Sequence, residues 1–247
     1  MPPDSTWLLC ALCVGVAAII RSLTGFGFAA IAVVGLSLLL SLKTAVPVVL
    51  ALEVVSGLLL APGVWPSVER PLLWRLLLAA AMGVPIGSLA LRGVDAYVLT
   101  LCVYLLIATL ALMGLARKSL PAGKGAWSLW SVGISTGALI AAFSIGGPLL
   151  VAWLSHRGLR PAAVRATLVL FFLLADVLAL LALQGTVGIP LSTWASAVGL
   201  LPPLLLGLWL GQKLYMRVPA NQAARATQWL LLALAVLGLL STARLGA

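Results

Sequence analysis

From Trp7 to Leu42 the chain is almost wholly apolar, and Arg21 is its one charged side chain. Read as apolar runs against gaps, the sequence gives ten segments: 6–20, 24–42, 45–62, 71–91, 96–116, 127–142, 145–156, 162–183, 191–212 and 223–243. A bilayer crossing takes roughly 20 mostly apolar residues as a helix. Soluble domains are about 25% charged, because one face of each element meets water. This chain of 247 residues is 8% charged and 63% hydrophobic, with a mean hydropathy of +1.22. No soluble core hides that much apolar surface, so its solvent is lipid. Lipid offers no partners to backbone N–H and C=O groups, which leaves helices or a closed barrel. The Leu/Ala/Val runs lack the two-residue alternation of barrel strands. An all-α polytopic membrane protein is predicted.

Segment 145–156 is too short to cross alone, so about eight transmembrane helices are expected, with up to ten helical segments if some are glycine-broken or re-entrant. Trp7, Trp65, Trp74, Trp127, Trp130, Trp194 and Trp209 fall at or near segment ends, as an interfacial aromatic belt requires. The net charge of +10 resides mostly in short gaps, as topology signals do. If all ten segments cross, the gaps at Arg21, Arg70, Arg117/Lys118/Lys124, His156/Arg157/Arg160 and Lys213/Arg217 share one side. Lys43, Arg92 and Arg244 take the other, which puts both termini outside; with eight crossings the bias weakens. The gaps are too short for a soluble domain. No basic cluster is interleaved with aromatics on a polar surface, which argues against nucleic acid. The start, MPPDSTWLLC, lacks a basic n-region and a small-residue cleavage site, so no cleavable signal is expected and the first helix is retained.

The chain reads as two copies of one unit, 1–119 and 120–247. Gly83-x-x-x-Gly87 is followed 27 residues later by Gly114, and Gly207-x-x-x-Gly211 is followed 27 residues later by Gly238. Gly27 precedes Ala45-Val46 by 18 residues, and Gly146 precedes Ala163-Val164 by 17. Internal repeats of this kind mark transporters.

Each unit carries a break: Thr24-Gly25-Phe26-Gly27 in the first and Ser144-Ile145-Gly146-Gly147-Pro148 in the second. Glycine costs a helix about 1 kcal/mol against alanine and proline about 3. Proline fits just inside a new helix start, so Pro148 marks one. A fresh N-terminus offers unpaired N–H groups and a positive dipole end. Glycine lets a ligand approach that backbone, and Ser22, Thr24 and Ser144 add hydroxyls. Two such ends facing each other make an anion site between the repeats. The bland alternative is that the glycines only permit close helix packing.

Five acids exist. Asp4, Glu69 and Asp95 fit loops or edges, whereas Glu53 and Asp176 lie deep in segments 45–62 and 162–183. A charge at a span centre costs at least about 2.5–3.5 kcal/mol, so such residues face a cavity, pair, or carry protons. Glu53 and Asp176 are therefore candidates for proton coupling or gating, or for a structural pair with Arg21, Arg165 or a hydroxyl. They do not fall at equivalent positions of the two units. Arg21 beside the first break and Arg165 in the first turns of 162–183 are candidates to neutralise a bound anion through bidentate contacts, or else are topology charges. His156, the one histidine, reads as interfacial.

One histidine and three cysteines form no metal constellation, and H-E-x-x-H, G-x-S-x-G and Walker loops are absent. No enzyme activity, cofactor or direct use of ATP is expected. Cys10-Ala-Leu-Cys13 has redox spacing but lies in an apolar helix without a thiol-activating context; it and Cys102 read as small buried hydrophobes.

The glycine-rich break near the N-terminus, S-I-G-G-P-L-L at 144–150, R-P-A-A-V-R-A-T-L at 160–168 and W-L-G-Q-K-L at 209–214 resemble the sulfite exporter TauE/SafE family over essentially the whole chain. The resemblance implies a bacterial inner-membrane permease for sulfite, sulfonates or related organic anions, with about eight spans in two homologous halves. It carries the family's glycine-rich motifs onto Gly25, Gly27, Gly146 and Gly147. Phe26 and Phe28 stand where many members carry further glycines, which predicts a narrower or more apolar site. The expected partners are thus a small anion, lipid and protons, with oligomeric state open and a homodimer compatible. The alternatives are a permease or channel for another solute or cation, and a membrane assembly or thiol-transfer protein.

Overall fold

Each apolar run is helical in the structure, a computed structural model that describes residues 4–116, 125–155, 157–215 and 220–245. The 117–124 gap, with the expected repeat boundary, lies outside the described residues, as do His156 and Arg217. The described residues form eleven α-helices: α1 Asp4–Thr24, α2 Phe28–Ser37, α3 Leu42–Val64, α4 Arg70–Gly93, α5 Ala96–Leu115, α6 Ala126–Phe143, α7 Gly147–Ser155, α8 Pro161–Thr186, α9 Leu191–Gly199, α10 Leu201–Tyr215 and α11 Ala220–Leu245.

Seven stretches among them are long and apolar enough to cross a membrane, with α9 and α10 together making one, and the apolar part of α6, Trp127–Phe143, falls just short. α2 and α7, at ten and nine residues, do not: at about 1.5 Å per residue each covers only about 15 Å. The run 24–42 is therefore not a separate crossing. With α9 and α10 counted as one, the described residues give eight long helices and two short ones, a choice between eight and ten crossings that the sequence left open.

Glycine sets the closest helix contacts. Gly207 faces Gly15 and Ala18, and Gly211 faces Ile19 and Ser22, so α10 runs parallel to α1. Gly83 and Gly87 of α4 lie on the backbone of Ile134 and Ala138, while Gly133 and Gly137 of α6 lie on Ala79 and Ala80, so α4 and α6 are also parallel. Without a hydrophobic drive between helices in lipid, such small-residue seams supply van der Waals contact. α3 and α8 pack antiparallel at the centre, Gly57 against Leu173, and α5 packs on α11. Leu8, Leu12, Leu58, Met82, Ile86, Leu105 and Leu181 point outward, as do the seven edge tryptophans. A surface of this kind suits acyl chains and a belt of indoles.

The direction of each helix follows from its neighbours. Lys43 Nζ, at the start of α3, donates to Arg92 O at the end of α4 (3.5 Å), and Thr167 Oγ1 near the start of α8 accepts from Glu69 N (3.2 Å). The bundle therefore has a Lys43 end and an Arg165 end. α1 runs toward the Arg165 end, where α10 finishes at Tyr215, and α6 runs away from it alongside α4. α1–α2 and α6–α7 are helical hairpins whose turns approach the centre from opposite directions.

Candidate functional site

Both hairpin turns are built by left-handed backbone. Gly25 has φ 81° and Gly27 φ 92°, a region that side chains other than glycine's seldom enter. Thr24 Oγ1 donates to Ile20 O (2.9 Å) or Phe26 O (2.6 Å) and accepts from Phe26 N (3.3 Å), which ties the turn shut. In the second turn Ser144 takes φ 57° and ends α6 with its N–H on Ile140 O at 2.7 Å. Pro148 is the second residue of α7, the start that its sequence position predicts.

The two short helices begin beside each other. Gly27 and Ala29 of the first hairpin and Ser144, Gly146, Gly147 and Pro148 of the second line one small cavity with Arg21, Glu53, Phe172 and Asp176. Arg21 is a correction to the topology reading: its side chain is 0% exposed and no gap residue at all. Its Nη1 lies 2.8 Å from Glu53 Oε2. That is ion-pair distance without good hydrogen-bond angles, for Nε and both Nη atoms of Arg21 and Oε2 of Glu53 make no hydrogen bond of sound geometry. Glu53 Oε1 accepts from Ala29 N (3.1 Å) in the first turn of α2, so this carboxylate caps the helix end that the sequence offered to an external anion. Asp176, on α8 facing α3, interacts electrostatically with Glu53 and Arg21, and its Oδ2 has no hydrogen-bond partner. Neither does Ser144 Oγ, nor Thr136 Oγ1, whose methyl lies against Gly146. Such a concentration of buried polar atoms without partners is rare, since each costs about 1–3 kcal/mol.

The cavity measures about 10 Å³, room for roughly one water. At the Arg165 end lies a larger one of about 520 Å³, lined by Thr24, Phe26, Val64, Ser67, Arg165 and Tyr215. Arg165 Nη2 donates to Ser22 O (3.1 Å), and its guanidinium lies 4.5 Å from the Tyr215 ring centre. At the Lys43 end a cavity of about 170 Å³ is lined by Lys43, Thr44, Pro47, Leu183, Gly188 and Thr193. Glu53 is the middle residue of α3, about 16 Å along it from either end. A family comparison identifies what this arrangement belongs to: the model described as "Sulfite exporter TauE/SafE" matches residues 10–238. The chain belongs to the sulfite exporter TauE/SafE family. Comparison with curated proteins and with solved structures returned no match. TauE/SafE proteins are transporters, and the long apolar helices are those of a multi-pass membrane protein.

In this TauE/SafE chain the residues singled out in the sequence divide into three groups. Arg21, Gly27, Glu53, Ser144, Gly146, Gly147, Pro148 and Asp176 come together at the inner cavity, whereas Thr24, Phe26 and Arg165 line the Arg165-end cavity. Ser22 Oγ is spent on Leu208 O at 3.0 Å, and Gly25 makes room for the Arg165 side chain, whose Cγ lies 2.7 Å from where a Cβ would stand. Phe28 is buried in the core. Cys13 Sγ packs into the space left by Gly35, Cys10 is buried, Cys102 is exposed on α5 rather than buried as expected, and all three are free. Two contributors escaped the sequence reading. Phe172 lies one helical turn before Asp176 on the same face, a spacing that pointed to it. Tyr215 stacks on Arg165 across the bundle and left no local signal.

Proposed function

We propose that this TauE/SafE protein is a secondary transporter of small anions in the bacterial inner membrane, with sulfite, sulfonates or related sulfur-containing or organic anions as substrates. The anion binds between the starts of α2 and α7. The observation that carries this reading is Arg21: a fully buried guanidinium with unspent donors, flanked by two helix N-termini and a free serine hydroxyl. Guanidinium donors fit sulfonyl oxygens as they fit carboxylates. Each terminal cavity also carries a cation, Arg165 at one end and Lys43 at the other. Cavities at both ends of α3 and α8, with the charged cluster midway, suit alternating access around a fixed site.

The two hairpins belong to two repeats, 1–119 and 120–247. Support comes from the packing, in which α1 lies on α10 as α4 lies on α6, while α3 pairs with α8 and α5 with α11.

A second reading has one observation behind it. Two carboxylates share the inner cavity with one guanidinium, which suits a cation. The same experiment separates the two. Purified protein in proteoliposomes is tested for flux of sulfite, sulfoacetate and sulfate, and of sodium and potassium. Sulfur-anion flux that Arg21→Gln abolishes and Lys213→Gln leaves intact supports the anion reading. Cation flux that survives Arg21→Gln turns the assignment to the second.

A further inference from the structure

We propose that Glu53 is a built-in competitor of the transported anion: the anion takes Arg21 and the α2 N-terminus only as Glu53 leaves them, and Glu53 leaves as the neutral acid, so each anion bound brings one proton into the site. This rests on the anion reading above and adds its coupling rule.

Glu53 already makes the contacts of a bound anion. One oxygen lies 2.8 Å from Arg21 Nη1 and the other takes the Ala29 N–H at 3.1 Å. These are the two anion-binding features of the first hairpin: Glu53 takes the α2 N–H and one nitrogen of the guanidinium, and leaves Nε and Nη2 unspent. The cavity beside them, at about 10 Å³, has no room for a second anion while Glu53 stays.

Charge leads to the same conclusion. An anion beside ionised Glu53 and Asp176 gives three negative charges to one guanidinium in a small cavity that Ile145 and Phe172 help to line. Burial of ions is tolerated only with close compensation. Exchanging the Glu53 charge for that of a monoanion leaves the net charge of the site unchanged. The proton comes from the solution that delivered the anion and departs when Glu53 returns to Arg21. The Glu53 carboxylate gains one proton, no covalent bond between heavy atoms changes, and nothing is oxidised or reduced.

The groups that face Glu53 are few. Arg21 comes from α1 and Asp176 from α8. α2, α6, α7 and α9 carry no titratable side chain. Tyr104 of α5 pairs with Ser37, Cys102 is exposed, Arg165 lies over Tyr215, and Lys213 lies over Trp209.

The test is binding of methanesulfonate and of isethionate to the purified full chain, since both are monoanions whose charge does not change near neutrality. One linked proton weakens Kd about tenfold per pH unit, hence about a hundredfold from about pH 6 to pH 8. In Glu53→Gln the slope vanishes, and affinity near pH 8 exceeds that of the wild type. A flat wild-type profile overturns the proposal, as does a slope that persists in Glu53→Gln or is lost in Asp176→Asn instead. Binding of neither anion at any pH brings down the anion reading itself. Should Glu53→Gln fail to fold, the wild type still decides. A hydrophobic carbodiimide labels protonated carboxyls, so methanesulfonate must raise labelling of Glu53, read by peptide mass spectrometry. Unchanged or lowered labelling overturns the proposal.

Discussion

Arg21 of α1 and Glu53 of α3 meet at the start of α2, Nη1 to Oε2 at 2.8 Å, with both side chains buried. The contact sets the position of the first hairpin, because the same carboxylate holds the first turn of α2. Removal of one partner of a buried pair leaves an uncompensated charge and costs about 3–5 kcal/mol, whereas removal of both costs less. Arg21→Ala and Glu53→Ala each lower the thermal midpoint of the detergent-solubilised protein, and Arg21→Met/Glu53→Gln falls less than either. Size-exclusion profiles after heating measure this; a simple sum of two losses in the double variant contradicts the coupling. Transport is lost in all three, so stability and flux part company in the double variant.

The glycine seams make a separate prediction. A Cβ at Gly83 runs into the carbonyl of Ile134, and one at Gly211 stands 2.6 Å from Ile19 O. Backbone cannot step aside as a flexible side chain does, and overpacking costs about 1–3 kcal/mol. Gly83→Ala and Gly211→Ala therefore lower the midpoint. Gly185, inside α8, has nothing within 4 Å of its would-be Cβ. Gly185→Ala leaves the midpoint unchanged or raises it, by about 0.5–1 kcal/mol, since alanine is the better helix former. Equal losses at all three positions would mean that the seams are not tight.

How far the sequence reached depends on the range of the signal. Apolar runs, tryptophan edges and Gly-x-x-x-Gly spacing are local, and they located the helices and the packing faces. The two breaks were legible because Gly27 and Pro148 are chemically unusual where they stand. Pairing was not legible. Arg21 read as a gap charge because its partner lies on another helix, and Glu53 could have chosen Arg165 or a hydroxyl equally well. Ser22 shows the opposite failure: a hydroxyl beside a break looked like a ligand donor, but the parallel approach of α10 spends it on Leu208 O. The difference between Glu53 and Asp176 also needs three dimensions. Their non-equivalent positions in the two units argued against a symmetric pair of sites, and only the antiparallel run of α3 against α8 shows both at one cavity.

On the proposed anion reading, Arg165 serves capture rather than the central step. It hangs in the cavity of about 520 Å³, steadied by Ser22 O and Tyr215, and it does not line the inner cavity. Arg165→Ala raises KM for sulfite about tenfold, the loss of one exposed charge-assisted contact, with the maximal rate near wild type. Arg165→Lys restores little, because an ammonium lacks the planar fork and the stacking face. Initial-rate uptake in proteoliposomes distinguishes these; a fall in maximal rate at unchanged KM would place Arg165 in the central step instead.

On the proposed anion reading, Phe26 is the barrier between the two cavities. It lines the Arg165-end cavity, and a side chain added at Gly147, on the wall of the inner one, would meet Phe26 at 3.7 Å and Phe172 at 3.8 Å. Those are ordinary contact distances, so both rings lie opposite a glycine with room for a methyl. Gly147→Ala accordingly keeps flux, while Gly147→Leu fills the passage and stops it with the protein still inserted. Phe26→Ala removes the ring and joins the cavities. Flux of a bulky sulfonate such as benzenesulfonate then rises relative to sulfite, by about tenfold if the ring supplies a discrimination of 1.4 kcal/mol, and Phe26→Leu falls between. The ratio of the two fluxes in one preparation cancels differences in expression. An unchanged ratio in Phe26→Ala means that size selection occurs at the charged cluster and that Phe26 only packs the turn.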